Sequence, residues 1–242
     1  MARPLRQLRP NDLFVRWVLG DLTPEVVLTE GENVAFIGDA ETDGEVWVTA
    51  FGEDPAACAR LVIELAASTP IDGVTVPEDA FAVLPPELRS PDHGHWCFWV
   101  HNPELVPIGE TDAVDLALDD PRIAPLLQFS DSAHMFPGDP RIQRWAGVVE
   151  GGRLVSVAAQ RAEATGAAHI VSVCTDPAQR GRGLAGQACT RIMQAAVADG
   201  APAIVLEMYV ANEAGRRAYQ ALGFEEVGRY RSGLLRGGSK PR

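Results

Sequence analysis

The stretch Val173-Cys174-Thr175-Asp176-Pro177-Ala178-Gln179-Arg180-Gly181-Arg182-Gly183-Leu184-Ala185-Gly186 decides how this chain is read. It begins at the end of a β-prone run, His169 to Val173, which Asp176-Pro177 stops. It runs into a helix expected from about Gly183 to Ala198, with Leu184, Ala188, Ile192 and Ala195 near one face and Gly200 as its terminator. Glycines let a backbone approach a ligand closely. A helix start offers unpaired N–H groups and the positive end of the dipole. Together these make a phosphate site. Arg180 and Arg182 add mobile positive charge. Glycines at a turn into a helix also serve packing alone, so the loop by itself leaves that reading open.

The same residues spell Gly181-x-Gly183-x-x-Gly186, the dinucleotide fingerprint, and Glu207 follows about 20 residues later, where a ribose-binding acid would stand. A nicotinamide-dependent oxidoreductase is therefore a rival. In that fold the first glycine comes directly after the strand. Here Thr175 to Arg180 intervene, with Asp176-Pro177 among them. The unit also lies too near the end of the sequence to leave chain for a doubly wound sheet.

Outward from the loop the second half is regular. Ala113–Leu118 reads as a strand, and Asp119-Asp120-Pro121 as a helix start running to Leu127 or Phe129. Ser130–Arg141 is irregular. Arg144–Val149 and Leu154–Arg161 form a hairpin about Gly151-Gly152. Ala203–Tyr209 is a strand, Glu213–Leu222 a helix closed by Gly223, and Phe224–Tyr230 a last strand. The order β, α, ββ, β, α, β, α, β predicts an α/β protein built on one mixed sheet. The first half gives strands at 33–37, 45–51, 73–76 and 95–100. It also gives one clear helix, opened by Asp54 as N-cap with Pro55 first and running to about Ala67. Asn102-Pro103, Pro107 and Gly109 mark a linker, which divides the chain into 1–110 and 111–242.

The chain has 242 residues, 46% of them hydrophobic, enough for one large core or two small ones. Residues 1–120 carry 6 Arg against 23 Asp and Glu, a net of −17; the remainder carries +5, which together give the chain's −12. The acidic half argues against nucleic-acid binding, and the basic half suits a phosphate-bearing ligand. No 18-residue apolar stretch predicts a membrane span, and Met1 to Asn11 lacks the apolar centre of a signal peptide. Cys58, Cys97, Cys174 and Cys189 lie far apart with no metal-ligand spacing. These features predict a cytoplasmic protein with free thiols and no metal. A homodimer is compatible with the sequence.

A second motif chooses among the readings. Arg180-Gly181-Arg182-Gly183-Leu184-Ala185 is followed by Val210-Ala211-Asn212, then Tyr219 seven residues on, then Leu222-Gly223-Phe224. In this order the chain resembles the GNAT superfamily of N-acetyltransferases over roughly residues 112–236. The resemblance implies the GNAT fold in the second half, with the first half a degenerate copy. It implies acetyl-CoA as cosubstrate and acyl transfer to a primary amine, on a small molecule or peptide, by direct attack. It assigns the pyrophosphate to Arg180, Gly181, Arg182, Gly183, Leu184, Ala185 and Gly186, and the pantetheine arm to Val173, Cys174 and Thr175. It gives the Val173 N–H the task of polarising the thioester carbonyl, and Asn212 a place on the cofactor. Tyr219 would protonate the leaving thiolate. For the base, His169 stands where the family often has a carboxylate. Alternation would put His169, Val171 and Val173 on one face, and Glu207 is the second candidate. Asp131 and His134 would line the acceptor pocket. A CoA-sensing module without turnover is the alternative, which the complete Asn212/Tyr219 pair argues against.

Overall fold

A computed structural model describes residues 3–39 and 45–235. Met1 and Ala2, and residue 236 at the limit of the resemblance, lie outside the described residues. The chain forms two compact units: Met1–Cys97 with Met208–Ala211 and Val227–Arg242, and Phe98–Glu207 with Asn212–Glu226.

The first unit begins with α1 (Leu5–Leu8) and a π-helical turn at Val15–Leu19. Strands β1 (Val26–Glu30), β2 (Asn33–Asp39) and β3 (Val46–Phe51) follow as an antiparallel meander. Helix α2 (Pro55–Ser68) carries the chain to β4 (Gly73–Pro77), which pairs parallel to β3. Helix α2 forms where the sequence predicts it, because the Asp54 carboxylate accepts from Ala56 and Ala57 N–H and Pro55 needs no acceptor. Its buried face, Cys58, Leu61, Val62 and Leu65, packs on Ala35, Val48, Ala50, Val74 and Val76 of the sheet. Burial of each such Leu or Val contributes about 1.5–3 kcal/mol. Helix α3 (Glu78–Val83) and strand β5 (Gly94–His101) come next.

The second unit holds β6 (Val114–Leu116), α4 (Ile123–Leu127), β7 (Ile142–Glu150), β8 (Arg153–Ala162) and β9 (Ala168–Thr175). Its four strands from β6 to β9 are antiparallel in turn. The β7–β8 hairpin closes through Gly151 and Gly152 at φ +55° and +80°, the left-handed pair that a tight hairpin turn demands. Helix α5 (Leu184–Ala198) leads to β10 (Ile204–Tyr209), which pairs parallel to β9. Helix α6 (Glu213–Ala221) and strand β11 (Glu225–Leu234) complete the order. Central strand β8 is buried on both faces. On one side Val157 and Ala159 pack under Ile123, Leu126 and Leu127 of α4; α5 covers β7, β8 and β9.

The mixed sheet and interleaved helices are as expected. The contact division is not a single cut at residue 110. Residues from Phe98 onward join the second unit, while Val227 onward returns to the first. The cause is strand pairing: β11 lies antiparallel to β4, with Tyr230 opposite Pro77 and Leu234 opposite Gly73.

Candidate active site

Strand β9 changes character midway. Its pairing with β10 runs from Ala168–Ile204 to Ile170–Leu206 and ends there. On its other side Ala159 faces Val171 while Val157 faces Cys174, so Ser172 and Val173 together oppose one residue of β8. This is a β-bulge, which takes backbone groups out of the ladder. Ser172 sits at φ +50°. The bulge breaks the alternation that would have put His169, Val171 and Val173 on one face. Val171 and Cys174 share the core beneath α4 instead, and Val173 is half-buried.

Below the bulge the strand end is braced. The Cys174 thiol donates to the Leu126 carbonyl at 3.2 Å, and burial raises its pKa, so it is a packed strand residue and not a nucleophile. Thr175 shares a 2.8 Å hydrogen bond with Ser156. Asp176 then caps a 3-10 turn at Pro177–Gln179, its carboxylate accepting from Ala178 N–H.

The glycine loop follows. Gly181 and Gly183 have φ of +81° and +75°, and a Cβ built on Gly181, Gly183 or Gly186 would meet nothing within 4 Å. Packing therefore does not demand these glycines. The first two serve a left-handed backbone, and all three leave the space before α5 open. Gly183 is the N-cap of α5, with no side chain bonded to the helix start. The first N–H groups of a fifteen-residue helix consequently face outward beside Leu184 and Ala185. That is the donor set an anion such as a pyrophosphate requires.

The two arginines are not mobile charge. Arg180 donates to the carbonyls of Thr175 (3.3 Å) and Phe129 (3.2 Å). Arg182 makes a two-pronged pair with Glu150, at 2.9 and 2.8 Å, and bonds Gln179. Both tie the loop to the segments around it.

Asn212 is the N-cap of α6, its side-chain oxygen accepting from Gly215 N–H at 2.9 Å. Tyr219, about two turns further on, is buried with its ring edge-on to Phe224 at 6.0 Å. Burial raises the phenol pKa, with the Cys189 thiol of α5 adding to the shift, so the group is a proton donor at neutral pH.

The two base candidates are placed very differently. His169 is 2% exposed on the paired part of β9. Its Nδ1 lies 2.7 Å from Glu163, whose carboxylate also accepts from Arg161 at 2.7 Å. Burial alone would raise the Glu163 pKa, but the bonds and charges of His169 and Arg161 bring it below the ordinary value. His169 is thus committed to a partly buried hydrogen-bond network with Glu163 and Arg161, about four residues, some 13 Å of strand, from Val173. Glu207 is exposed, one residue past the last β9–β10 pair. Asp131 and His134 are exposed on the segment after α4, His134 bonded to the Ser132 carbonyl at 3.3 Å. Among the described residues no group of three or more His, Cys, Asp or Glu is arranged to hold a metal, and no helix is long and apolar enough to cross a membrane. Cys58, Cys97, Cys174 and Cys189 are buried and none is in a disulfide.

Sequence reasoning singled out the irregular segment after α4 but missed Ser172, which bonds it, since a serine in an apolar run gives no sign of a bulge. The strand feeding the loop lies between an antiparallel neighbour, β8, and a parallel one, β10. That removes the doubly wound parallel sheet on which the nicotinamide reading rests.

Comparison with known proteins agrees with this geometry. Residues 112–224 match the Acetyltransferase (GNAT) family. A protein assigned to the GNAT family from Novosphingobium aromaticivorans is 25% identical, over 81% of this chain and 89% of that one, with a TM-score of 0.55. A GCN5-related N-acetyltransferase from Kribbella flavida shares the fold at 17% identity and TM-score 0.57, over 89% of this chain and 91% of that one. Another from Sphaerobacter thermophilus does so at 14% and 0.54, over 93% and 81%. No curated protein matches the sequence.

Proposed function

From the premise that residues 112–224 form a GNAT acetyltransferase domain, we propose that the chain moves an acetyl group from acetyl-CoA to a primary amine by direct attack. The observation that carries the proposal is the uncapped start of α5, behind glycines that leave its N–H groups open. These groups would hold the pyrophosphate, with Gly181, Gly183, Leu184, Ala185 and Gly186 supplying backbone. The strand from Val173 to Thr175, past the end of the β9–β10 pairing, offers backbone to the pantetheine arm. The Val173 N–H would polarise the thioester carbonyl, where loss of such a donor typically costs about 2.7–4 kcal/mol.

Glu207 takes the proton of the attacking amine, and exposure beside the unpaired strand end supports it over the buried His169. The amine nitrogen bonds the carbonyl carbon, the carbon–sulfur bond breaks, and Tyr219 gives its proton to the sulfur. Acid or base assistance of this kind is worth about 10²–10⁴ in rate. Asn212 orders the start of α6 and so the helix that carries Tyr219. A thiol-release assay with acetyl-CoA and a panel of primary amines tests the proposal. Amine-dependent release is expected; tight CoA binding with no release for any amine would instead support a sensor.

A further inference from the structure

Strands β3 and β4 of the first unit part at their ends, as β9 and β10 do. Their parallel pairing covers Trp47–Gly73 to Thr49–Thr75 and stops, although β3 runs on to Phe51 and β4 to Pro77. A crevice beyond the carboxyl ends of neighbouring parallel strands is where α/β sheets take ligands. Here one wall of it comes from the segment before the sheet. Asp12 accepts from the N–H groups of Phe14 and Val15, each at 3.0 Å, and from Arg9 at 3.1 Å. That turn sets the Phe14 ring against Phe51 at 5.4 Å and Tyr230 at 5.7 Å.

A cavity of about 310 Å³ lies between this turn, the loop after β3, the end of β4 and the first half of β11. Its lining joins an apolar wall to charges of both signs. Leu13, Phe14, Val227 and Tyr230 supply the wall. Arg9 and Asp12 also line it but hold each other. The remaining charges are Glu53 and Arg229, both exposed. The Glu53 carboxylate has no hydrogen-bond or ion-pair partner among the described residues. Arg229 already takes part in one interaction, but a guanidinium has five N–H donors and keeps some for a ligand. The volume is at the lower limit of the roughly 300–1,000 Å³ of ligand cavities, which suits a small molecule. Asp54, next to Glu53, closes the start of α2 to a phosphate. The cavity is therefore no second CoA site.

We propose that this cavity binds a free α-amino acid with an aromatic side chain. The ammonium group pairs with Glu53, the carboxylate with Arg229, and the ring lies along Phe14 and Tyr230. The proposal does not rest on the acyltransferase reading above.

Calorimetry on the full chain tests it, with L-phenylalanine beside phenylethylamine and phenylpropionate, which keep one charge each. L-Phenylalanine binds, and each one-charge analogue binds at least about tenfold more weakly. Glu53→Gln and Arg229→Gln each weaken L-phenylalanine binding at least about tenfold, while CoA affinity stays within about twofold and the melting temperature holds, since both positions are exposed. No binding of L-phenylalanine by the wild type overturns the proposal. So does binding that either substitution leaves intact, or an analogue that binds as tightly as the amino acid. Binding lost with Glu207→Gln instead would make the amino acid an acceptor amine and also overturn it. Thiol release from acetyl-CoA is read on the same samples; its failure with every amine overturns the acyltransferase reading and leaves this one standing.

Discussion

Two stretches of the molecule share a plan. Strands β1 to β3 and strands β7 to β9 are both antiparallel meanders, and each leads through a helix to a strand parallel to the last of them. They differ at the helix start. Before α2 the turn is short, and Asp54 turns its own carboxylate onto the N–H groups of Ala56 and Ala57 at 2.9 and 3.1 Å. Asn33 then accepts from Asp54 N–H and locks the turn to β2. Before α5 the turn is long, and the N-cap is Gly183, which has no side chain to offer. One helix start is closed by the protein's own anion, and the other is left for an anion from outside. Under the proposed function, the closed start of α2 offers no counterpart to the anion site before α5. The contrast shows that capping, more than topology, separates a scaffold from an anion site.

The largest test of that contrast is to write the first cap into the second helix. Gly183→Asp places a carboxylate before α5 at a φ of +75°. CoA affinity by calorimetry should fall at least about 100-fold, through both occupied donors and backbone strain. Retained affinity would mean that α5 does not hold the cofactor. Next in size are the two groups set against the reacting centre. Tyr219→Phe and Glu207→Gln should each lower kcat by about 10² or more with CoA affinity unchanged. A full rate in either variant removes that residue from its role.

A smaller effect is expected when the first cap is taken away. Asp54→Ala should cost about 1 kcal/mol in urea unfolding and leave CoA affinity as it was. A change in affinity would break the assignment of the first unit as scaffold. The smallest effect is pH dependence from the partly buried Glu163–Arg161–His169 network of the second unit. Glu163 has a folded pKa below its ordinary value of 4.5, so its contribution is complete above that value and is lost as pH falls through the lower folded one. Glu163→Gln should flatten this part of an acid unfolding curve followed by circular dichroism.

Much of this was legible because it is local. Asp54-Pro55 announces a helix start within two residues, and Gly151-Gly152 a hairpin; both formed as read. The glycine loop and the Asn212, Tyr219 and Leu222-Gly223-Phe224 spacing lie in one contiguous stretch, residues 112–224, that matches the family. What escaped depends on residues far apart in sequence. His169 looked like a base until Glu163 and Arg161 were seen to claim it. Ser172 is marked only by a register slip against β8. Strand β1 is an outer strand with mostly exposed or half-buried residues, and α3 is a short helix behind Pro77, so neither has a strong period to read. The linker at 102–109 suggested a single cut, whereas β11 pairs back to β4.

That return has a cost during synthesis. Thr75 and Ser232, bonded across β4 and β11, are 157 residues apart. At roughly 5–20 residues per second, a ribosome exposes β4 for some 8–30 s before its partner exists. For that interval the β11 side of β4 is an open template for stray strands. The nascent chain is therefore at its most aggregation-prone while the second unit is being made, and chaperone demand should end when β11 emerges.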